Sequence, residues 1–151
     1  MATVEEELPA FAFVRPSYPH FSELENRLWT AFLLRTDMKF VKLEYDVRVG
    51  SGNMPSYPLP PDIEAMWRAL TQLRIDVVAH RIAEIWIFEV KGRAGRSALG
   101  QVLSYKRWYE EQYKPTKPVK VGIVCQEVDQ NMIPIFEEYG VDIFQVTVGR
   151  T

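Results

Sequence analysis

The stretch RIDVVAHRIAEIWIFEVKGRAG, residues 74–95, reads as two buried strands, yet Asp76, Glu89 and Lys91 stand among its isoleucines, valines, tryptophan and phenylalanine. Side chains alternate faces along a strand, so Glu89 and Lys91, two apart, project to one side of a sheet. A connecting loop with an even number of residues, for instance four over 80–83, brings Asp76 to that same side. An unpaired carboxylate costs several kcal/mol to bury even after relaxation, so two close together need a compensating charge. Lys91 can neutralise one of them. A hard divalent cation such as Mg²⁺ can bridge both, because carboxylate oxygens are the ligands it takes. A buried carboxylate–lysine pair at a strand end, with no chemistry, would give the same triplet.

Around this hairpin the pattern is that of a mixed α/β domain. Downstream, KGRAG (91–95) reads as a glycine-rich turn and residues 97–113 as a helix broken by KPTKPVK. VKVGIVC (119–125) is a strand, QNMIPIFEEYG (130–140) a short helix ending at Gly140, and VDIFQVTV (141–148) a last strand. Upstream, SELENRLWTAFLL (22–34) opens with a capping-box serine and Glu25, and puts Leu24, Leu28 and Phe32 on one stripe. FVKLEYDVRVG (40–50) alternates Val41, Leu43, Tyr45, Val47 and Val49 with charged residues, a strand with one wet face. GSGNMPSYPLPPD (50–62) is a proline-rich loop, with a short helix over 63–70 after it. The order helix, strand, strand, strand, helix, strand, helix, strand predicts a mixed central β-sheet flanked by helices. Its front half is antiparallel and its back half βαβ. In such a sheet the middle strands are covered on both faces, as IWIFEV requires.

With 151 residues and 47% hydrophobic content, one domain with a real core is expected: residues 1–21 as an N-terminal arm and 22–151 as the domain. No apolar run approaches the ~20 residues of a membrane helix, and Met-Ala-Thr-Val-Glu-Glu-Glu has the wrong charge for a signal peptide. A cytoplasmic protein is expected, or one of the host cytoplasm if viral. Cys125 is the single cysteine and His20 and His80 the two histidines, which excludes an internal disulfide and multi-cysteine or histidine-rich metal clusters. Net charge is −2, but residues 91–120 hold eight basic and two acidic residues, +6, leaving −8 for the rest. Such segregation fits a nucleic-acid partner, and equally the solvated faces of a helix and its loops.

Asp76, then Glu89-Val90-Lys91 at the end of the next strand, then a helix carrying Gln101 and Tyr105, resembles the PD-(D/E)XK nuclease superfamily. QVLSY (101–105) resembles the QxxxY motif of its RecB-like, Holliday-junction-resolvase-like branch. The resemblance spans roughly 22–113 and implies a restriction-endonuclease-like core, αβββαβ with an extra αβ. It implies a Mg²⁺-dependent deoxyribonuclease, endo- or exonucleolytic, with Mn²⁺ as a substitute. Asp76, Glu89 and the backbone carbonyl of Val90 would bind the metal, and Lys91 would position or activate the attacking water. A first-helix carboxylate, Glu25 or alternatively Glu23, would join them, and Gln101 and Tyr105 would face the site. Helix geometry favours Glu25, which flanks the Leu28–Phe32 stripe, although the capping box also claims it. The proline of the PD element is absent, since Arg74-Ile75 precede Asp76.

Arg93, Arg96, Lys106 and Arg107 are candidate contacts to DNA phosphates, which position a strand without reading its sequence. Trp108 and Tyr109 could stack on bases or belong to the core. A homodimer is a further expectation, because one site cuts one strand of a duplex. The competing function is a non-catalytic nucleic-acid- or protein-binding module on the same fold. A purely structural subunit would need an obligate partner surface, and no long exposed apolar stripe stands out to supply one.

Overall fold

Ser22 caps the first helix as its sequence predicts. The Glu25 backbone N–H donates to Ser22 Oγ at 3.2 Å, and the Ser22 N–H donates back to Glu25 Oε1 at 2.8 Å. This starts α1 (Glu23–Arg35) in the computed structural model, which describes residues 5–149. Ahead of it, β1 (Leu8–Pro9) pairs with β2 (Lys39–Phe40), and Ala10 and Tyr18 are buried in the α1 layer.

The main sheet contains β3 (Lys42–Val49), β4 (Leu73–His80), β5 (Ile85–Ala94), β6 (Val119–Val128) and β7 (Val141–Gln145), neighbours in that order. The first three are antiparallel, and β5, β6 and β7 are parallel. Helix α2 (Pro61–Thr71) is inserted between β3 and β4, α3 (Arg96–Tyr113) links β5 to β6, and α4 (Ile133–Glu138) leads into β7. The mixed sheet flanked by helices, antiparallel in front and βαβ behind, is therefore the architecture.

Two cores lie on opposite faces of the sheet. On one face Trp29 and Phe32 of α1 meet Trp86, Phe88 and Phe144 of the sheet, with ring centroids 5.2–5.7 Å apart in successive pairs. Against α3 sit Ile75, Ile85, Ile87, Val121, Ile123 and the free Cys125. The alternation in the first half of β5 follows: Trp86, Phe88 and Val90 belong to the α1 side, and Ile85 and Ile87 to the α3 side.

Three details differ from expectation. KGRAG is not a turn, because β6 keeps pairing with β5 through Arg93↔Glu127 and Ala94↔Val128. Gly92 serves a close approach instead: a Cβ there would stand 3.1 Å from Leu24 Cδ2 of α1. The hairpin loop is four residues as supposed, but it covers Arg81–Glu84, with His80 paired to Ile85. Finally, β3 does not keep one apolar face. Leu43 and Tyr45 pack on the α1 side, Val47 and Val49 on the α3 side, and the crossing falls at Asp46, whose φ is +54°.

Gly122 lies between the rings of Phe88 and Phe144, where a Cβ would come within 2.7 Å of Phe144 Cε2 and 3.0 Å of Phe88 Cε1. Gly122→Ala is expected to destabilise the fold by about 1–3 kcal/mol through overpacking. Urea denaturation measures this, and an unchanged midpoint would show that the aromatic cluster yields freely.

Candidate metal centre and active site

Strand β4 pairs with β3 from Leu73 to His80 with a gap at Asp76, but with β5 only over Val77–His80. Strand β5 continues beside β6 as far as Ala94. The sheet therefore forks beyond the Val77↔Phe88 pair. Asp76 is the first residue past the fork on β4, and Glu89 the first on β5. The charged residues of the hairpin stand where strand pairing stops, which is why a core hairpin carries them.

The fork leaves backbone donors to be satisfied, and Asp76 meets one of them: its Oδ2 accepts the Val90 N–H at 2.9 Å. Glu89 is only 5% exposed, and its Oε2 has no hydrogen-bond partner. Lys91 Nζ donates to Gln101 Oε1 at 2.6 Å and to Ser97 Oγ at 3.1 Å. An ammonium has three donors, so one remains for a further acceptor. Tyr105, buried on α3, directs its hydroxyl to Glu89.

Burial raises the pKa of Asp76 to about 6, opposed by the Val90 N–H and reinforced by the negative charge of Glu25. Burial raises Glu89 further, to about 8, with the charge of Asp76 adding to the shift and Lys91 and Tyr105 opposing it. Burial disfavours the charged form of both carboxyls, and more strongly at Glu89, which is the deeper of the two. Burial and the adjacent Glu89 and Asp76 raise Tyr105 as well, keeping it a neutral donor.

The remaining predicted residues divide. Glu25 is close enough for its charge to act on Asp76, but its Oε1 is engaged in the α1 cap, and Glu23 is exposed. Accordingly, among the described residues, no group of three or more His, Cys, Asp or Glu side chains is gathered for a metal. Arg93 and Arg96 are exposed and line a cleft of about 400 Å³ with Gly95, Ser97 and Asp129, adjoining Lys91 through Ser97. Lys106 and Arg107 follow Tyr105 by one and two residues, so they lie about 100° and 200° around the helix from the site-facing stripe. Arg107 pairs with Glu111 instead. Tyr109 is core, and Trp108 packs against the same core and beside Gly50.

Ser97 escaped the sequence reading. Its signal is the spacing Ser97, Gln101, Tyr105, one residue per turn of α3 aimed at the fork.

The two carboxylates suit a divalent cation. A buried oxygen without a donor, in a carboxyl whose charged form burial disfavours, is what a bound cation would relieve, and Mg²⁺ commonly takes one or two carboxylates with water completing its shell.

No family model and no curated protein matches this sequence. Among solved structures, a repair endonuclease from Pyrococcus abyssi is similar over 48% of this chain, at 20% identity and a TM-score of 0.42. An EndoMS–dsDNA complex is similar over 52%, at 19% identity and a TM-score of 0.43. The chain spans 32% and 33% of the length of those two proteins. At such scores, any functional assignment must rest on the residues of this chain.

A carboxyl with a raised folded-state pKa binds more protons folded than unfolded between its two pKa values, so stability falls as pH rises through that window. Without divalent cations, the melting temperature is therefore expected to fall from about pH 4 to about pH 8 on account of this pair. Glu89→Gln should flatten most of the upper part of that decline. Thermal melts across this range in EDTA test it, and superimposable profiles for wild type and variant would refute the buried-proton description.

Proposed function

We propose that the chain is a metal-dependent nuclease that hydrolyses phosphodiester bonds in DNA. The observation that carries this is the placement of the half-buried Asp76 and the buried Glu89 opposite each other at the fork, Glu89 with an unpartnered oxygen, and the Lys91 ammonium two residues along β5. The Val90 N–H accounts for Asp76 on structural grounds, but the buried Glu89 beside it keeps an unpartnered oxygen, and a non-catalytic scaffold would gain by losing it.

In this reading Asp76, Glu89 and the Val90 carbonyl hold Mg²⁺, or Mn²⁺ in its place. The metal would lower the pKa of water and offset the charge that develops on the phosphoryl oxygens. Lys91 has its stem fixed by the fork and two of its donors fixed by Ser97 and Gln101. Its third N–H is then free to orient the attacking water or a non-bridging phosphate oxygen. Tyr105 holds Glu89 in place, and Glu25 supports the site electrostatically. Arg93 and Arg96 line the adjoining cleft and would seat a neighbouring phosphate. Water attacks phosphorus, the P–O bond to the leaving sugar oxygen breaks, and that oxygen takes up a proton. The exposed Lys106 and Arg107 lie outside this arrangement and would at most strengthen non-specific attraction.

Labelled single-stranded, duplex, flap and junction DNA, with single-stranded RNA, should be incubated with Mg²⁺, Mn²⁺ or EDTA. DNA cleavage that needs the metal and falls by about 100-fold or more in both Asp76→Ala and Lys91→Ala is expected. Products that persist in EDTA or in both variants, or none with any metal, would defeat the catalytic reading.

A further inference from the structure

The fork has two arms, and each carries a cation two residues past its carboxylate: Lys91 past Glu89 on β5, and Arg74 past Asp76 on β4. Lys91 is bonded to Ser97 and Gln101 of α3, whereas Arg74 takes no part in that network. Its Nε donates instead to Asp46 Oδ1 at 3.0 Å, and its Nη2 lies 3.2 Å and 3.3 Å from the two ring nitrogens of His20. His20 Nε2 in turn meets Asp46 Oδ2 at 3.1 Å. Three side chains remote in sequence thus form one cluster.

The cluster is drawn toward the carboxylates from two directions. Tyr45↔Val77 and Val47↔Ile75 place Asp46 opposite Asp76, at the position where the β3–β4 pairing lapses. By bonding to Asp46, the Arg74 guanidinium is pulled back from its own level on β4 toward the level of Asp76. His20 stands two residues before Ser22, the cap of α1, and Glu25 of that cap acts electrostatically on Asp76. Among the described residues three non-glycine positions hold a left-handed φ, and two of them, His20 at +62° and Asp46 at +54°, meet here. The third, Lys114, has the ordinary role of ending α3. Backbone strain of this kind persists where the surroundings over-determine it, as at ligand clamps. Nε and Nη2 fasten the guanidinium, which leaves the two Nη1 donors without an acceptor among the described residues, on a side chain 43% exposed.

We propose, resting on the nuclease reading, that Arg74 holds a backbone phosphate of the DNA substrate on the β4 arm of the fork, and that Asp46 and His20 position it to do so. A strand laid across the fork then meets a guanidinium on either side of the carboxylates: Arg74 on the β4 arm, and Arg93 of β5 with Arg96 at the start of α3 on the other. Arginine suits this role, because its planar group keeps its bonds to Asp46 and His20 and still presents donors to phosphate oxygens. The contact reads no base, so it acts on all sequences alike.

Two salt dependences test this on the full chain: DNA binding in EDTA, followed by fluorescence anisotropy, and kcat/KM for metal-dependent cleavage of the same DNA. Arg74→Ala should weaken binding by about 10-fold near 0.1 M salt and lower the slope of log affinity against log salt by about one, with the same change in the slope of kcat/KM. Arg74→Gln, which keeps a donor for Asp46 but loses the charge, should lower both slopes equally and answers the case in which alanine unsettles the fold. Arg74→Lys should restore the slopes and only part of the affinity, since an ammonium cannot reproduce the planar group. A merely structural ion pair would leave the slopes unmoved. Wild type that cuts DNA while Arg74→Ala and Arg74→Gln keep the full slopes would overturn this inference and leave the nuclease reading standing. Wild type that neither binds nor cuts DNA would overturn both.

Discussion

The site depends on one constraint: β4 must follow β3 while β5 must follow β6, and beyond Val77 and Phe88 they cannot stay paired. Backbone groups at a fork lose their ladder partners while still being walled from water, and each must be satisfied or pay a desolvation penalty. Asp76 answers for the Val90 N–H. That answer fixes the half-buried aspartate opposite Glu89 and creates a second problem, two carboxylates with too little solvent for both charges. Burial raises both pKa values in consequence, and a bound cation would relieve the same strain. Helix α3 completes the arrangement from above, with Ser97, Gln101 and Tyr105 on successive turns.

Much of this was legible in the sequence because it follows from short-range rules. The period of Ser22–Leu34, its capping box and the apolar runs of β4 and β5 identify helix and strands without reference to anything distant. Even the shared side of Asp76, Glu89 and Lys91 follows from loop parity. What was not legible depends on neighbours in space. Gly92 and Gly95 suggested a turn, yet β6 extends β5 past them and Gly92 makes room for Leu24. The change of face at Asp46 lies in a single left-handed residue among ordinary alternating ones. Ser97 is an unremarked serine until β5 brings Lys91 to it. The exposed apolar residues of α2 were not legible either, because periodicity tells which residues share a face and says nothing of what lies opposite.

Charge behaves in the same way. The basic segment 91–120 looks continuous in sequence, but β5 and α3 carry it to both ends of the sheet. Lys91, Arg93 and Arg96 gather beside the fork, whereas Lys117 and Lys120 sit at the far end of β5, paired with Glu5 and Glu84. Lys120 also lies over the Trp86 ring. The cluster beside the fork is the part of the basic segment that lies near the carboxylates, with Asp129 among its neighbours.

The proposed cation site makes the most direct test, because a divalent ion bound by Asp76 and Glu89 would displace a proton from carboxyls whose pKa values burial has raised. Calorimetric titration of Mn²⁺ into the metal-free protein near neutral pH, repeated in buffers of different ionisation enthalpy, measures both properties together. One Mn²⁺ per chain with release of close to one proton, both lost in Asp76→Asn with Glu89→Gln, is the predicted result. Absence of binding, or binding that releases no proton and survives the double substitution, would contradict it.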